Sequence, residues 1–408
     1  MLNFMIKPTS FQCNIACKYC FYLEKQRFML SDGDKKAHFM DVETAKKFIE
    51  KRITEEKADE MYFIWQGGEP LLAGLDFYKE VVAHQNKIAG LFNKKVHNAI
   101  QTNGILIDDQ WAKFLKKNRF LVGISIDGDQ EFHDIYRKTV TGGDTFKKVS
   151  RGLEYLRKNG VEFNTLTVVN NVNAKRPLEI YNFLKSIGSR FMQFIPVIET
   201  MDVDDNYKPS WMDDKDFVAR PTAFSVKPSD YADFMNKIFD EWIRKDVTNV
   251  SIRMFDSLLA RFSGYEQTLC HFKESCGGNN IALESDGTLY QCDHFVYPEE
   301  RFKIGNFKDL SLRQVEDKTI CLTNMKKDVS SKCRSCKWLE LCHGGCPKHR
   351  FVNIGNGERL SYFCEAYQSI FDHITPGLNL IMEFREKHIP WEILPKAADD
   401  LYKQIKEQ

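Results

Sequence analysis

The chain has almost no excess of charge: 58 Lys and Arg stand against 57 Asp and Glu over 408 residues. A surface built to hold nucleic acid or an anionic membrane needs a basic surplus, so neither partner is expected. Long hydrophobic runs are missing too. No apolar stretch approaches the roughly 20 residues that cross a bilayer. The opening MLNFMIKPTS lacks the basic stretch followed by an apolar run that directs export. A soluble, cytoplasmic protein is the expectation. A third absence is local: of twelve cysteines, three lie at 13, 17 and 20, nine between 270 and 364, and none between 20 and 270. A disulfide framework has no reason to leave such a gap. Two separate cysteine regions with metal or redox chemistry are the better reading.

What is present up to about residue 245 is an alternation. Short β-rich runs (NFMIKPT, MYFIWQG, HNAIQTNG, FLVGISID, VEFNTLTVV and RFMQFIPV) take turns with amphipathic helical stretches, the first of them DVETAKKFIEKRI with Asp41 as its N-cap. Six strand–helix repeats predict an α/β fold with a parallel sheet and outer helices, a barrel whose chemistry lies after the strands' C-terminal ends. Residues 200–228 are polar and aperiodic and read as a long loop before the sixth helix. From 251 onward short segments dense in Cys and Gly predict a small metal-organised domain. After Cys364 the chain reads as helical, broken at Pro376 and Pro390. The expected division is 1–245, 246–370 and a helical tail at 371–408.

The opening CNIACKYC places Cys13, Cys17 and Cys20 on the loop after the first strand. A four-iron cube takes one thiolate per iron, so three cysteines leave one iron open to a small molecule. Three buried thiols packed as small hydrophobes, or a zinc site with a distant fourth ligand, are the other readings of that spacing. The CxxxCxxC pattern, followed one strand later by QGGEP (Gln66 to Pro70), resembles the radical S-adenosylmethionine (SAM) enzymes. That resemblance implies a partial (β/α)6 barrel with SAM chelated at the open iron. It also implies that the backbone of the glycine motif, Gly68 within it, meets the SAM amino group. Ser125 in SIDG, Arg137 in HDIYRK, Tyr19 and Ile198 fall at positions that contact SAM in the family. An arginine there suits a carboxylate through paired hydrogen bonds.

The second cysteine region runs Cx5C at Cys270 and Cys276, then Cys292, then Cx2Cx5Cx3C at Cys333, Cys336, Cys342 and Cys346, and ends at Cys364. Eight cysteines make two saturated four-thiolate sites, either iron–sulfur clusters that carry electrons or zinc sites. The interrupted spacing resembles the SPASM domain, an auxiliary two-cluster module. By that resemblance Cys270, Cys276, Cys292 and Cys346 bind one [4Fe–4S] cluster, and Cys333, Cys336, Cys342 and Cys364 bind the other. With the SAM-binding cluster this makes three. Cys321 fits neither set.

Within the SPASM group the chain is most similar to the anaerobic sulfatase-maturating enzymes, through FMIKPTSFQCNIACKYCFYLEK, QTNGILIDDQWAKFLKKNRFLVGISIDG, YQCDHFVYPE and the closing CEAY. The resemblance implies oxidation of one Cys or Ser of an unmodified sulfatase to Cα-formylglycine. SAM is cleaved to a 5′-deoxyadenosyl radical, which takes hydrogen from the substrate's Cβ, and a second electron then leaves to the auxiliary clusters. A flavodoxin or ferredoxin would supply the first electron. The thiol or hydroxyl proton must also leave, and Asp293, beside Cys292, matches the family's base. His294 is an alternative base. Gln66, Gln101 and Asn103 either bind the substrate's backbone or satisfy buried strand ends, and the 200–228 loop is a candidate wall of a peptide groove. Two other functions fit the same motifs: a maturase that crosslinks a different ribosomal peptide, and a zinc-organised binding protein without redox chemistry.

Overall fold

The computed structural model describes residues 2–29, 39–204, 206–210, 219–278 and 280–407. All six expected strands form: β1 (Phe4–Ile6), β2 (Glu60–Trp65), β3 (Lys95–Thr102), β4 (Leu121–Ser125), β5 (Phe163–Val169) and β6 (Phe191–Pro196). The helices between them follow the expected apolar stripes at Val42–Glu55, Leu75–Leu91, Asp109–Lys117, Phe146–Lys158, Pro177–Ser186 and Pro228–Lys245. Asp41 caps the first of these, its carboxylate accepting from the Thr44 amide at 2.6 Å.

The chain forms two compact units that interleave along the sequence. Met1–Ile126, His133–Asn164 and Ser275–Met325 make the first; Asp127–Phe132, Thr165–Glu274 and Lys326–Gln408 make the second. The first unit carries a sheet in which β4, β3, β2 and β1 are neighbours, all parallel. On the far side of β1 the sheet is continued by a strand at Ile281–Leu283, parallel to it with Phe4 opposite Ile281, and then by antiparallel strands at Thr288–Tyr290 and Lys303–Asn306. The core beneath is aromatic. The Phe48 ring meets Phe4 and Phe307 edge-on, and the buried Trp65 meets Phe77 and Tyr78.

In the second unit β5, β6 and a short strand at Ser251–Ile252 run parallel. The helix Pro228–Lys245 packs against a long helix, Cys364–Glu386, which runs across position 370. The expected break at Pro376 does not occur, because that proline lies inside the long helix. Proline removes one backbone hydrogen bond, and close packing offsets the loss. A Cβ on the adjacent Gly377 would stand 2.7 Å from Phe239 and from the Tyr402 hydroxyl, so the glycine lets the helix seat against its neighbours. The tail does break near Pro390: the long helix ends at Glu386, and Pro390 is the N-cap of the next turn, Trp391–Ile393. In the 200–228 stretch a small ribbon pairs Thr200–Met201 with Arg220–Pro221. Residues 205 and 211–218 of that stretch lie outside the described residues. No helix among the described residues is long and apolar enough to cross a membrane.

Candidate active site

The N-terminal cysteine loop is held by three partners within the first unit. A short strand, Ile15–Cys17, pairs antiparallel with Arg137–Thr139, so Cys17 lies opposite Arg137. The Arg137 guanidinium reaches the Cys17 sulfur at 3.9 Å and lies 5.5 Å from the centre of the Tyr19 ring. Three residues singled out from the sequence, Cys17, Tyr19 and Arg137, are thereby brought together. The Cys20 amide turns back onto the Cys17 carbonyl at 3.0 Å, which closes the loop.

The second partner is the glycine motif. The Gly68 amide donates to the Ser10 carbonyl at 2.7 Å and the Glu69 amide to Gln12 at 2.8 Å. A Cβ on Gly68 would stand 2.0 Å from the Gln12 carbonyl oxygen, where no side chain fits. The motif is therefore a backbone cradle for the cysteine loop itself.

Glu69 is the third partner, and the sequence reading passed it over. Wholly buried, its carboxylate accepts from the Thr102 hydroxyl at 2.7 Å, the Asn103 amide at 2.8 Å and the Leu71 amide at 3.0 Å. Burial pushes its pKa up to about 7 in spite of those three donors. Asn103, positioned by that amide contact, donates from Nδ2 to Asn14 at 2.7 Å and to the Cys13 sulfur at 3.8 Å. Burial, then the charge of Glu69, pushes the Cys13 thiol up to about 12. Gln101 donates to the Ser125 hydroxyl at 3.0 Å.

At the C-terminal end of β1 a buried ionic cluster surrounds Asp293. Lys7 lies 3.8 Å from its carboxylate, Gln66 donates to it at 3.3 Å, and the Cys292 thiol donates to it at 3.5 Å. Lys25 donates to the Asp293 carbonyl. Burial alone would raise the Asp293 pKa. The attraction of Lys7 overrides it, helped by His294 and Lys25, and the carboxyl falls to about 2. Alongside, Glu284 accepts from the Ser10 hydroxyl at 2.6 Å and from the Tyr22 hydroxyl. The His294 ring stacks on Phe21 with centroids 4.6 Å apart. Lys7, Lys25 and Glu284 were missed from sequence; the available signal was a lysine that interrupts the apolar run FMIKPT.

The remaining predicted residues divide between the units. Cys276 and Cys292 belong to the first; Cys270, Cys346 and Ile198 belong to the second. Ile198 is buried just beyond β6. Cys321 lies on the helix Ile320–Lys327, half-buried, its thiol raised by burial. In the second unit Cys333, Cys336, Cys342 and Cys364 line one cavity of about 410 Å³, part of it open to solvent. Trp338, Leu339, Tyr367 and Phe371 supply the apolar part of its wall, and Lys332, Gly344, Ser361 and Gln368 the rest. The Cys336 sulfur receives two donors at 3.4 Å, the Trp338 amide and the Gln368 side chain. Such N–H···S contacts suit a thiolate ligand. Among the described residues no three Cys, His, Asp or Glu side chains converge on a point where one metal ion would bind. The four thiols stand around a space, which fits a cube better than a single ion.

Residues 8–184 match the radical SAM superfamily, and residues 270–337 match SPASM, an iron–sulfur cluster-binding domain. A serine-type anaerobic sulfatase-maturating enzyme of Bacteroides thetaiotaomicron is 38% identical over 405 residues, 98% of this chain and 95% of that one. The chain belongs to the anaerobic sulfatase-maturating enzymes. A cysteine-type member of this family from Clostridium perfringens is 36% identical over 389 residues, covering 92% and 97% of the two chains. A solved structure described as native anSMEcpe with bound AdoMet and Cp18Cys peptide superposes with a TM-score of 0.80 at 33% identity, covering 93% and 98%. The radical SAM domain followed by a SPASM domain is thus the fold class expected from the sequence.

Proposed function

We propose that this member of the family oxidises a Cys or Ser side chain of a sulfatase to Cα-formylglycine, with Asp293 as the base. SAM at an open cluster would supply the hydrogen-abstracting 5′-deoxyadenosyl radical, and two auxiliary clusters in the cysteine-rich part, 246–370, would take the second electron. The observation that carries the reading is the setting of Asp293: half-buried, ionised, flanked by Lys7 and Gln66, and covalently next to Cys292. A carboxylate with so low a pKa is a weak base towards an ordinary thiol. It meets a stronger acid here, because a carbon radical beside a thiol or hydroxyl makes that proton easier to lose. A carboxylate ionised throughout the working pH range is always ready to accept it.

Other residues divide the labour. Cys13, Cys17 and Cys20 would hold the SAM-binding cluster. Arg137 would pair with the SAM carboxylate, with Tyr19, Gly68, Ser125 and Ile198 as further SAM contacts. Cys270, Cys276, Cys292 and Cys346 would hold one auxiliary cluster and the cavity-lining cysteines the other. Gln66, Gln101 and Asn103 are engaged with Asp293, Ser125 and Asn14, and would orient those groups as well as bind the substrate backbone. A small flavodoxin- or ferredoxin-type donor would supply the first electron.

The test is anaerobic incubation of the reconstituted chain with SAM, a reductant and a Cys-x-Pro-x-Arg sulfatase peptide, following peptide mass and 5′-deoxyadenosine together. Aldehyde formed in step with 5′-deoxyadenosine is the expected result, and the Ser peptide then defines breadth. Asp293→Asn should keep iron content and SAM cleavage yet lose peptide oxidation. Normal oxidation by that variant removes Asp293 from the mechanism. Protein holding zinc and no iron overturns the reading altogether.

A further inference from the structure

Arg137 is fastened by a helix start that departs from the usual one. The helix Phe146–Lys158 has Thr145 as its N-cap, where a hydroxyl ordinarily accepts from an amide of the first turn. Here the Thr145 side chain makes no such bond, and the residue stands at φ −120° and ψ −18° rather than extended. The capping role passes to Asp134. One of its carboxylate oxygens accepts from the Thr145 and Phe146 amides, both at 2.9 Å. Asp134 also supplies the negative charge at the positive end of the helix, for the first turn holds Lys147 and Lys148 and no acid.

Released from capping, the Thr145 hydroxyl turns to Arg137. It donates to the Arg137 carbonyl at 2.6 Å and stands 3.1 Å from His133 Nε2. A hydroxyl has one proton, so with that proton on the carbonyl it accepts from the His133 ring. Thr145, His133 and Arg137 are all buried. The Arg137 backbone is thereby held by two segments, paired with Cys17 across the ribbon and bonded to Thr145 eight residues further on. Two ordinary reasons for a buried threonine fail here. Its side chain caps nothing, and a valine would fill the same space without a hydroxyl that has to be paired.

We propose that Thr145 is a positioning residue for Arg137: its hydroxyl fixes the Arg137 carbonyl, and so the root of the side chain that would meet the SAM carboxylate. The assignment rests on the reading of Arg137 as a SAM contact given above. An arginine side chain turns about several bonds, and its far end is placed only if the backbone it starts from stays still. Paired hydrogen bonds between guanidinium and carboxylate demand a close geometric match, so a small shift at the Arg137 carbonyl weakens SAM binding. Thr145 acts through Arg137 and is not itself a SAM contact.

Thr145→Val keeps the shape and removes the hydroxyl; Thr145→Ser keeps the hydroxyl. Both are compared with the wild-type and Arg137→Gln chains, all reconstituted anaerobically. The readouts are iron content, melting temperature, the SAM dissociation constant from calorimetry, and the rate of peptide oxidation against SAM concentration. Thr145→Val should load iron as the wild type does and bind SAM about three- to tenfold more weakly, the worth of one neutral hydrogen bond. The loss should fall on the KM for SAM far more than on kcat. In Thr145→Ser the affinity should return to near the wild-type value. Unchanged SAM affinity in fully loaded Thr145→Val overturns the assignment. Equal weakening in Thr145→Ser overturns it too, since packing rather than the hydroxyl is then the cause. Loss of iron in Thr145→Val also overturns it and makes Thr145 a brace of the cysteine ribbon. If Arg137→Gln itself binds SAM as the wild type does, the failure lies in the reading of Arg137 beneath it.

Discussion

The two best-defined cysteine sites differ in what surrounds the sulfur. The N-terminal triplet sits among polar and charged groups: Arg137 on Cys17, Asn103 on Cys13, and the Gly68–Glu69 backbone packed against the loop. The cavity of Cys333, Cys336, Cys342 and Cys364 is walled by Trp338, Leu339, Tyr367 and Phe371. The first surrounding is polar and charged. The second is partly aromatic, with Lys332, Ser361 and Gln368 beside the rings, and is partly open to solvent.

The contrast breaks most sharply if one cysteine is removed from each site. Cys17→Ala should abolish 5′-deoxyadenosine formation with the auxiliary clusters intact. Cys342→Ala should lose about a third of the iron, one cluster of three, and still cleave SAM. Equal effects of the two changes, by iron analysis and SAM turnover, would erase the distinction. Next in size is Gly68→Ala. A methyl 2.0 Å from the Gln12 carbonyl forces the cysteine loop to move. A loss of about 3 kcal/mol, read as a drop in melting temperature together with impaired loading of the N-terminal cluster, is expected. Arg137→Gln should weaken SAM binding about 10- to 100-fold, the worth of a charged hydrogen bond, with iron content unchanged.

A smaller effect tests the polar wall through pH. Glu69 has its folded pKa raised from 4.5 to about 7 by burial. Its neutral form is the one the fold favours. The resulting contribution is full below about 4.5 and is lost as pH rises through about 7, amounting to about 3 kcal/mol at most. Glu69→Gln should flatten that part of the stability–pH curve, measured by denaturant unfolding between pH 5 and 8. The smallest expected effect is Cys321→Ser. Outside both implied sets and half-buried, this change should alter neither iron content nor peptide oxidation, and should shift stability by less than about 0.5 kcal/mol.

The six strands and their helices were legible because each carries its own apolar period, and Asp41 could be named as a cap from its place before VETAKKFIE. Pro376 was misread as a break because local propensity says nothing of the packing that Gly377 permits. Tyr19, Cys17 and Arg137 were each singled out from family motifs, yet the ribbon that brings them together, Ile15–Cys17 against Arg137–Thr139, joins segments too short to show periodicity. The Lys7, Lys25 and Glu284 cluster was invisible for a different reason. Charged residues are read as exposed unless their partners are known, and Lys7 and Asp293 stand 286 residues apart in the sequence.

The strand at Ile281–Leu283 has a consequence for how the protein is made. β1 is translated 277 residues ahead of the strand that covers its flank, because Phe4 pairs with Ile281. An exposed strand edge invites the wrong neighbour, another copy included. The nascent chain must therefore keep that edge open for a partner that arrives late. Cys292 and Asp293 arrive soon after it, so the site at the end of β1 is closed only once that distant strand has been made.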